Sequence, residues 1–128
     1  MKYFILILFY MINVFAQTNQ DISKKIELGK GLYFAKGCYG CHGPTAMGDG
    51  SYPQLATLDV DFVFKRLNYF KNGRMKTSKS YMMAPFAKGL SKEDMKNLGY
   101  YFNSLSEVQP KREEIEEDPT DAYGGGGS

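Results

Sequence analysis

The residues with the clearest chemical potential lie together in the run Cys38-Tyr39-Gly40-Cys41-His42. This is the pattern C-x-x-C-H, in which two thiols lie one helical turn apart and an imidazole follows at once. Thiols at that spacing can each add to a vinyl group on the same edge of a porphyrin, and the imidazole Nε2 can then ligate the iron. The pattern predicts covalent attachment of one c-type haem through Cys38 and Cys41, with His42 as the proximal ligand.

Other chemistries of a C-x-x-C pair fit this chain less well. A thioredoxin-like redox pair belongs to a βαβ context, and no segment here alternates like a strand for long. A structural zinc ion takes about four ligands, whereas the chain has only 2 Cys and 1 His. A disulfide between the two cysteines is a further alternative, although the two-residue spacing strains such a bridge.

The second axial ligand of the iron cannot be another histidine of this chain, because its single His is already used. A methionine sulfur, a lysine amine and an open coordination position remain as alternatives. Met82 and Met83 lie in YMMAPFAKGL, which its proline indicates to be extended, and a methionine in a loop can swing over the far haem face. The weaker candidates are Met47, Met75 and Met95, the last on an apolar helix face that indicates a core position.

Helices and loops must position these groups. A first helix is predicted over about residues 21–36, because apolar or small residues recur there at helical spacing. Those residues are Ile22, Ile26, Gly29 and Tyr33. The glycines and prolines between Gly37 and Leu58 predict a loop.

Two further helices are predicted beyond that loop. The second covers about residues 60–72, and its apolar stripe consists of Val63, Leu67 and Phe70. Ser91 and Asp94 have the spacing of a capping box and predict the start of the third helix. The apolar face of the third helix consists of Met95, Leu98, Phe102 and Leu105. The predicted fold class is therefore all-α.

Both ends of the chain differ from its middle. Residues 1–16 carry one positive charge, on Lys2, followed by an apolar run that is shorter than the ~20 residues needed to span a bilayer. Val14 and Ala16 suit a cleavage site, so we interpret residues 1–16 as a secretory signal peptide, with an uncleaved membrane anchor as the alternative. Residues 17–108 are the predicted folded domain. We expect residues 109–128 to form an acidic, flexible tail that ends in GGGGS, either an expression linker or a linker to a further domain.

The formal charge of the chain is +2 at pH 7, but it is unevenly distributed. Residues 17–106 carry +6, and residues 107–128 carry −5. A basic body of this kind suits an electrostatic encounter with an acidic protein. No nucleic-acid recognition motif accompanies the charge, so we expect no nucleic-acid partner.

The segments around and beyond the C-x-x-C-H run resemble the small class I cytochromes c of bacteria, over about residues 26–105. The resemblance is carried by GKGLYFAKGCYGCHGPTAMGDG, YPQL, FKRLNYFKNGR and MAPFAKGLSKEDMKNLGYYFNSL. These look like the first helix with its haem motif, a proline-containing loop, the middle helix, and the ligand loop with the final helix. The resemblance implies three main helices wrapped around one covalently bound haem c.

The resemblance also implies roles for single residues. The ligand methionine of the family falls on Met83, with Met82 as the local alternative. A proline carbonyl, here that of Pro53, is expected to orient the proximal imidazole. Arg74 or Tyr81 is a candidate for contact with a haem propionate. The expected crossing of the first and last helices involves Gly29, Tyr33, Gly99 and Tyr101.

The function implied is that of a periplasmic electron carrier, not an enzyme, that cycles its haem between Fe(II) and Fe(III). Its redox partners are expected to bind transiently, with Lys36 and Lys88 as candidate steering residues. The alternatives are a cytochrome c subunit or domain of a larger respiratory oxidoreductase, and a catalytic or gas-sensing haem protein with an open iron position. Contact with a membrane is expected only if residues 1–16 are retained.

Overall fold

A computed structural model describes residues 1–105 of the chain, and the tail predicted for residues 109–128 lies outside them. The described part contains six helices and no strand, so the all-α prediction is confirmed. The helices are α1 (Lys2–Ala35), α2 (Tyr39–His42), α3 (Val60–Lys71), α4 (Ser78–Tyr81), α5 (Ala84–Lys88) and α6 (Lys92–Ser104). The long helices α1, α3 and α6 form the frame, with α6 packed against both α1 and α3.

Helix α1 is longer than predicted, because it begins at Lys2 rather than near residue 21. No proline or glycine interrupts residues 2–28, so nothing in the local sequence stops the helix earlier. Its amino-terminal half is exposed, whereas Gly29 and Tyr33 in its carboxyl-terminal half are buried. Among residues 1–105, no helix combines the length and apolar content that crossing a bilayer requires.

The contact between α1 and α6 depends on Gly29. A Cβ atom at this position would lie 2.5 Å from the backbone carbonyl carbon of Asn97 and 2.9 Å from the Tyr101 Cβ. The absence of a side chain therefore lets the two helix backbones come close together. Gly99 does not take part in this crossing, contrary to expectation. It lies against the first residue of α3, where a Cβ would be 3.0 Å from the Val60 backbone.

The core lies between the three long helices. The predicted faces of α3 and α6 are confirmed, since Val63 and Phe70 are buried on α3 and Met95, Leu98 and Phe102 are buried on α6. Met95 is completely buried, in agreement with its predicted core position. The two helices begin as their sequences indicate. The Asp59 carboxylate accepts hydrogen bonds from two backbone N–H groups of α3, and a reciprocal pair of Ser91–Asp94 bonds caps α6.

The segment YMMAPFAKGL is not extended as predicted, because α4 ends at its first residue and α5 covers Ala84–Lys88 within it. The Thr77 and Ser80 side chains form a capping box that starts α4. Pro85 lies in the first turn of α5, where its fixed φ suits a helix and its missing N–H is not needed. The proline therefore begins a helix here instead of preventing one.

The helix crossing gives a direct test of the packing. We expect Gly29→Ala to lower the free energy of unfolding by about 3 kcal/mol, because the new methyl group overlaps backbone atoms of α6. The matched control is Gly31→Ala in the same helix, where a Cβ has open space and stability should rise by up to about 1 kcal/mol. Denaturant unfolding measures both variants. Equal stabilities would contradict the crossing at Gly29.

Candidate functional site

Residues 39–42 of the C-x-x-C-H run form the single-turn helix α2, with Cys38 as its N-cap, and three residues separate this helix from α1. Cys38 is half-buried and Cys41 is exposed, and both thiols are free. Burial raises the pKa of the Cys38 thiol above its ordinary value. The structure thus places two unpaired thiols one turn apart beside the histidine that follows them.

The His42 ring is buried and has a defined orientation. Its Nδ1 lies 2.9 Å from the Pro53 carbonyl oxygen, which is the contact expected from the sequence. Because a carbonyl oxygen can only accept a hydrogen bond, Nδ1 must carry the ring proton. The lone pair of Nε2 is then available for a metal, and the carbonyl makes the imidazole a better electron donor.

Tyr33 connects this motif to the core. Its hydroxyl donates a 2.6 Å hydrogen bond to the Gly43 carbonyl, which directly follows His42 in the chain. Its ring is completely buried and makes edge contacts with Phe34 and Phe102. Burial raises the pKa of the Tyr33 phenol well above its usual value, so the hydroxyl remains a donor at alkaline pH. Tyr33 therefore ties α2 to the contact between α1 and α6.

The loop after α2 is tightly folded and strained. Ala46 is buried and has φ of 58°, and Thr57 has φ of 75°, values that residues other than glycine rarely adopt. The Ala46 carbonyl accepts hydrogen bonds from the N–H groups of Leu55 and Ala56, at 2.8 and 2.9 Å. The Thr57 N–H donates to the Phe102 carbonyl of α6 at 3.0 Å. These bonds hold the loop in a conformation that places Pro53 beside His42.

A cavity of about 700 Å³ opens beside His42, within the size range of cofactor pockets. Both cysteines and His42 line the cavity, and so do Met82 and Met83. Most of the remaining lining is apolar and comes from the loop, α3 and α6. It includes Leu55, Leu58, Phe62, Leu67, Phe70 and Phe102.

The two candidate methionines differ in exposure. Met83 is half-buried at the junction between α4 and α5, whereas Met82 is 55% exposed. The Met83 N–H donates to the Ser80 carbonyl at 3.1 Å, and its own carbonyl accepts from Ala87 at 3.0 Å. Met47, Met75 and Met95 do not line the cavity. The backbone of Met83 is thus held on both sides by short helices.

The charged residues around the cavity differ from those expected. Neither Arg74 nor Tyr81 lines it, so the structure does not support their contact with a propionate. Arg66 and Lys79 line it instead, and sequence reasoning missed both. The signal for Arg66 was available, since it lies three residues after Val63 and four before Phe70, on the same face of α3. Lys79 gave no such signal, because its position depends on the unexpected helix α4.

Of the two proposed steering lysines, the structure supports one at the cavity. Lys36 lines it and is exposed. Lys88 is exposed at the end of α5 and does not line the cavity. Lys36 and Lys79 are therefore the lysines of the cavity rim.

The donor set of the cavity fits a haem. It offers two thiols on one helical turn, an imidazole nitrogen and thioether sulfurs, within a largely apolar space. The zinc alternative lacks support, since no group of three or more His, Cys, Asp and Glu side chains in residues 1–105 is placed to hold a metal ion. The thioredoxin alternative also fails for the described range, which has no strand.

Comparison with known proteins agrees with this geometry. The family model for cytochrome c matches residues 26–106. The chain belongs to the cytochrome c family. This family binds covalently attached haem c, so the cofactor predicted from the sequence is confirmed. The family is also one of electron-transfer proteins, and its fold is the expected all-α class I fold.

Several relatives carry related names. Cytochrome c-554(547) of Halothiobacillus neapolitanus is 42% identical in an alignment of 85 residues that covers 60% of this chain and 92% of that protein. Cytochrome c-552 of Acidithiobacillus ferridurans is 34% identical over 53% of this chain and 28% of its own length. A thiosulfate dehydrogenase electron acceptor of Stutzerimonas stutzeri is 30% identical over 56% of this chain and 34% of its own length. The chain thus spans nearly all of the first relative and about a third of the other two.

The Tyr33 hydrogen bond predicts a pH-dependent stability. Tyr33→Phe should lower the free energy of unfolding by about 1 kcal/mol at pH 7. The folded state raises the pKa of Tyr33, so only the unfolded chain releases this proton above about pH 10. The stabilisation is therefore complete below that pH and is lost as the pH rises above it. Denaturant unfolding should show that the free energy of unfolding falls less between pH 7 and pH 11 for Tyr33→Phe than for the wild type. An equal fall in both proteins would contradict this prediction.

Proposed function

We propose that Cys38 and Cys41 hold the haem through thioether bonds, and that His42 and Met83 are its axial ligands. The observation that carries this proposal is the buried His42 ring, whose bond to Pro53 leaves Nε2 free to ligate the iron. Met83 is preferred over Met82 because it is the more buried of the two methionines that line the cavity. The short helices on either side of it limit its backbone freedom.

When bound in this way, haem c supplies one-electron chemistry between Fe(II) and Fe(III). The residues around the haem control its oxidation state and its access to water. A methionine sulfur favours the ferrous state, and the apolar side chains from α3 and α6 keep water away from the cavity. Two protein ligands leave no coordination position for a substrate, which favours an electron carrier over a catalytic or gas-binding protein.

We further propose that the protein works outside the cytoplasm as a separate carrier. The amino-terminal segment 1–16 supports export, as c-type haem is attached outside the cytoplasm. The near full-length match to the small cytochrome c-554(547) supports a carrier that acts by itself. The partial matches to two longer proteins support the second candidate, a subunit or domain of a larger redox protein. Size-exclusion chromatography of the native protein distinguishes them, since only the second predicts elution as part of a larger chain or complex.

The proposed docking face for redox partners is the cavity rim. Lys36 and Lys79 supply positive charge there, and the exposed side chains of Met82 and Phe86 supply apolar surface. Such a mixture suits brief encounters that are steered by charge and released quickly. The thiosulfate dehydrogenase electron acceptor among the relatives makes a dehydrogenase one candidate partner class.

The ligand assignment predicts different outcomes for two neighbouring substitutions. Met83→Ala should abolish the weak sulfur-to-iron absorption at the red end of the oxidised spectrum and lower the reduction potential, because the thioether no longer stabilises Fe(II). The reduced variant should also bind carbon monoxide rapidly at neutral pH. Visible spectra and redox titration measure these changes.

Met82→Ala is the matched control. It removes the same side chain one residue earlier, and it should retain the red absorption, the potential and the slow reaction with carbon monoxide. The reverse pattern would show that Met82 is the ligand. Unchanged spectra in both variants would exclude either methionine.

The docking face predicts a charge effect on electron exchange. Replacing Lys36 and Lys79 together by Glu should slow oxidation of the reduced protein by ferricyanide by about tenfold at low ionic strength, because the local field is reversed. Oxidation by a cationic cobalt complex should become faster. Replacing Lys24 and Lys30 of α1 by Glu changes the net charge equally, away from the cavity, and serves as the control. Equal effects of both pairs in stopped-flow measurements would contradict the proposed face.

A further inference from the structure

Gly48 occupies a crowded position in the loop between α2 and α3. A Cβ atom there would lie 2.7 Å from both the carbonyl carbon and the carbonyl oxygen of Pro53, and it would also overlap the Tyr52 carbonyl oxygen. Real Cβ atoms essentially never come this close to other heavy atoms. The space next to Gly48 is therefore filled by the same carbonyl group that accepts the hydrogen bond from His42.

The backbone of Gly48 has little freedom to move away from this contact. Its N–H donates a 2.8 Å hydrogen bond to the His42 carbonyl. The next residue, Asp49, donates its N–H to the Tyr52 carbonyl at 3.0 Å, and its carboxylate accepts the N–H groups of Ser51 and Tyr52. A side chain at position 48 would therefore have to displace both the Tyr52 and the Pro53 carbonyl groups.

We propose that Gly48 is a positioning residue for the proximal imidazole. Its missing side chain lets the Pro53 carbonyl reach His42 Nδ1, and that hydrogen bond strengthens electron donation from Nε2 to the iron. This inference rests on the proposed role of His42 as a haem ligand. It gives Gly48, which follows His42 by six residues, a part in setting the reduction potential of the haem.

Space, rather than backbone conformation alone, distinguishes Gly48 from other glycines of the site. Gly43 has φ of 83° and Gly48 has φ of 65°, so both occupy the left-handed region that disfavours side chains. However, a Cβ at Gly43 meets no atom within 4 Å. Gly50 lies in the same loop with neither a positive φ nor a close neighbour. Comparing alanine substitutions at these three positions therefore distinguishes the effect of steric displacement from the effect of backbone strain.

The test compares Gly48→Ala, Gly43→Ala and Gly50→Ala as haem-loaded full-length proteins. Gly48→Ala should raise the reduction potential, because a less basic imidazole stabilises Fe(III) less well. The His42 Nδ1 proton, followed by NMR, should exchange with solvent faster by about fivefold or more, as expected from the loss of one ordinary hydrogen bond. Gly43→Ala should lose stability through strain but keep the wild-type potential and exchange rate. Gly50→Ala adds its methyl group at the cavity lining, and it should keep the wild-type exchange rate of the His42 Nδ1 proton.

A Gly48→Ala protein with the potential and proton exchange of Gly43→Ala would overturn the proposal. If Gly48→Ala yields no holoprotein, Gly48→Asn is the second variant, since asparagine tolerates left-handed φ but carries the same Cβ. Wild-type potential and exchange in Gly48→Asn also overturn it. If neither position-48 variant yields holoprotein but Gly43→Ala does, the proposal is supported. If Gly43→Ala also yields no holoprotein, the result counts against the proposal. The proposed function is tested separately by the spectrum of the wild-type protein. A spectrum without the features of histidine and methionine ligation would contradict the proposed function.

Discussion

The hydrogen bond between the buried His42 ring and the Pro53 carbonyl is the constraint on which the site depends. A buried imidazole needs a partner for its N–H, and the choice of partner fixes both its tautomer and its orientation. Here the partner comes from a backbone carbonyl eleven residues further along the chain. The loop between these residues must therefore fold in one particular way, and the positive φ of Ala46 is the conformational cost.

That loop is stable because it is anchored to the helical frame. Tyr33 on α1 holds the carbonyl after His42, and the Phe102 carbonyl on α6 holds the Thr57 N–H. Both anchors lie near the contact of α1 with α6, which the missing side chain of Gly29 makes close. The packing of the two terminal helices and the geometry of the imidazole are thus coupled through a few hydrogen bonds.

The cavity and the core share residues. Leu90, Leu98 and Phe102 belong to the hydrophobic core and also line the cavity. A domain of this size buries a small fraction of its surface, and a cavity of about 700 Å³ removes further contacts from its centre. The haem c of this family therefore completes the core as well as carrying the electron. This explains how the fold of residues 1–105, with three long helices around a large opening, can be stable.

The sequence by itself determined the local features, because local features depend on neighbouring residues. The C-x-x-C-H spacing specifies haem attachment, Ser91 and Asp94 specify the start of α6, and the period of Val63, Leu67 and Phe70 specifies the buried face of α3. Only the tertiary structure decided which distant groups meet. It brought Arg66 and Lys79 to the cavity in place of Arg74 and Tyr81, and it separated Gly99 from the helix crossing. It also assigned Gly48 its place against Pro53, since the closeness of two backbone segments leaves no trace in residue type beyond the glycine itself.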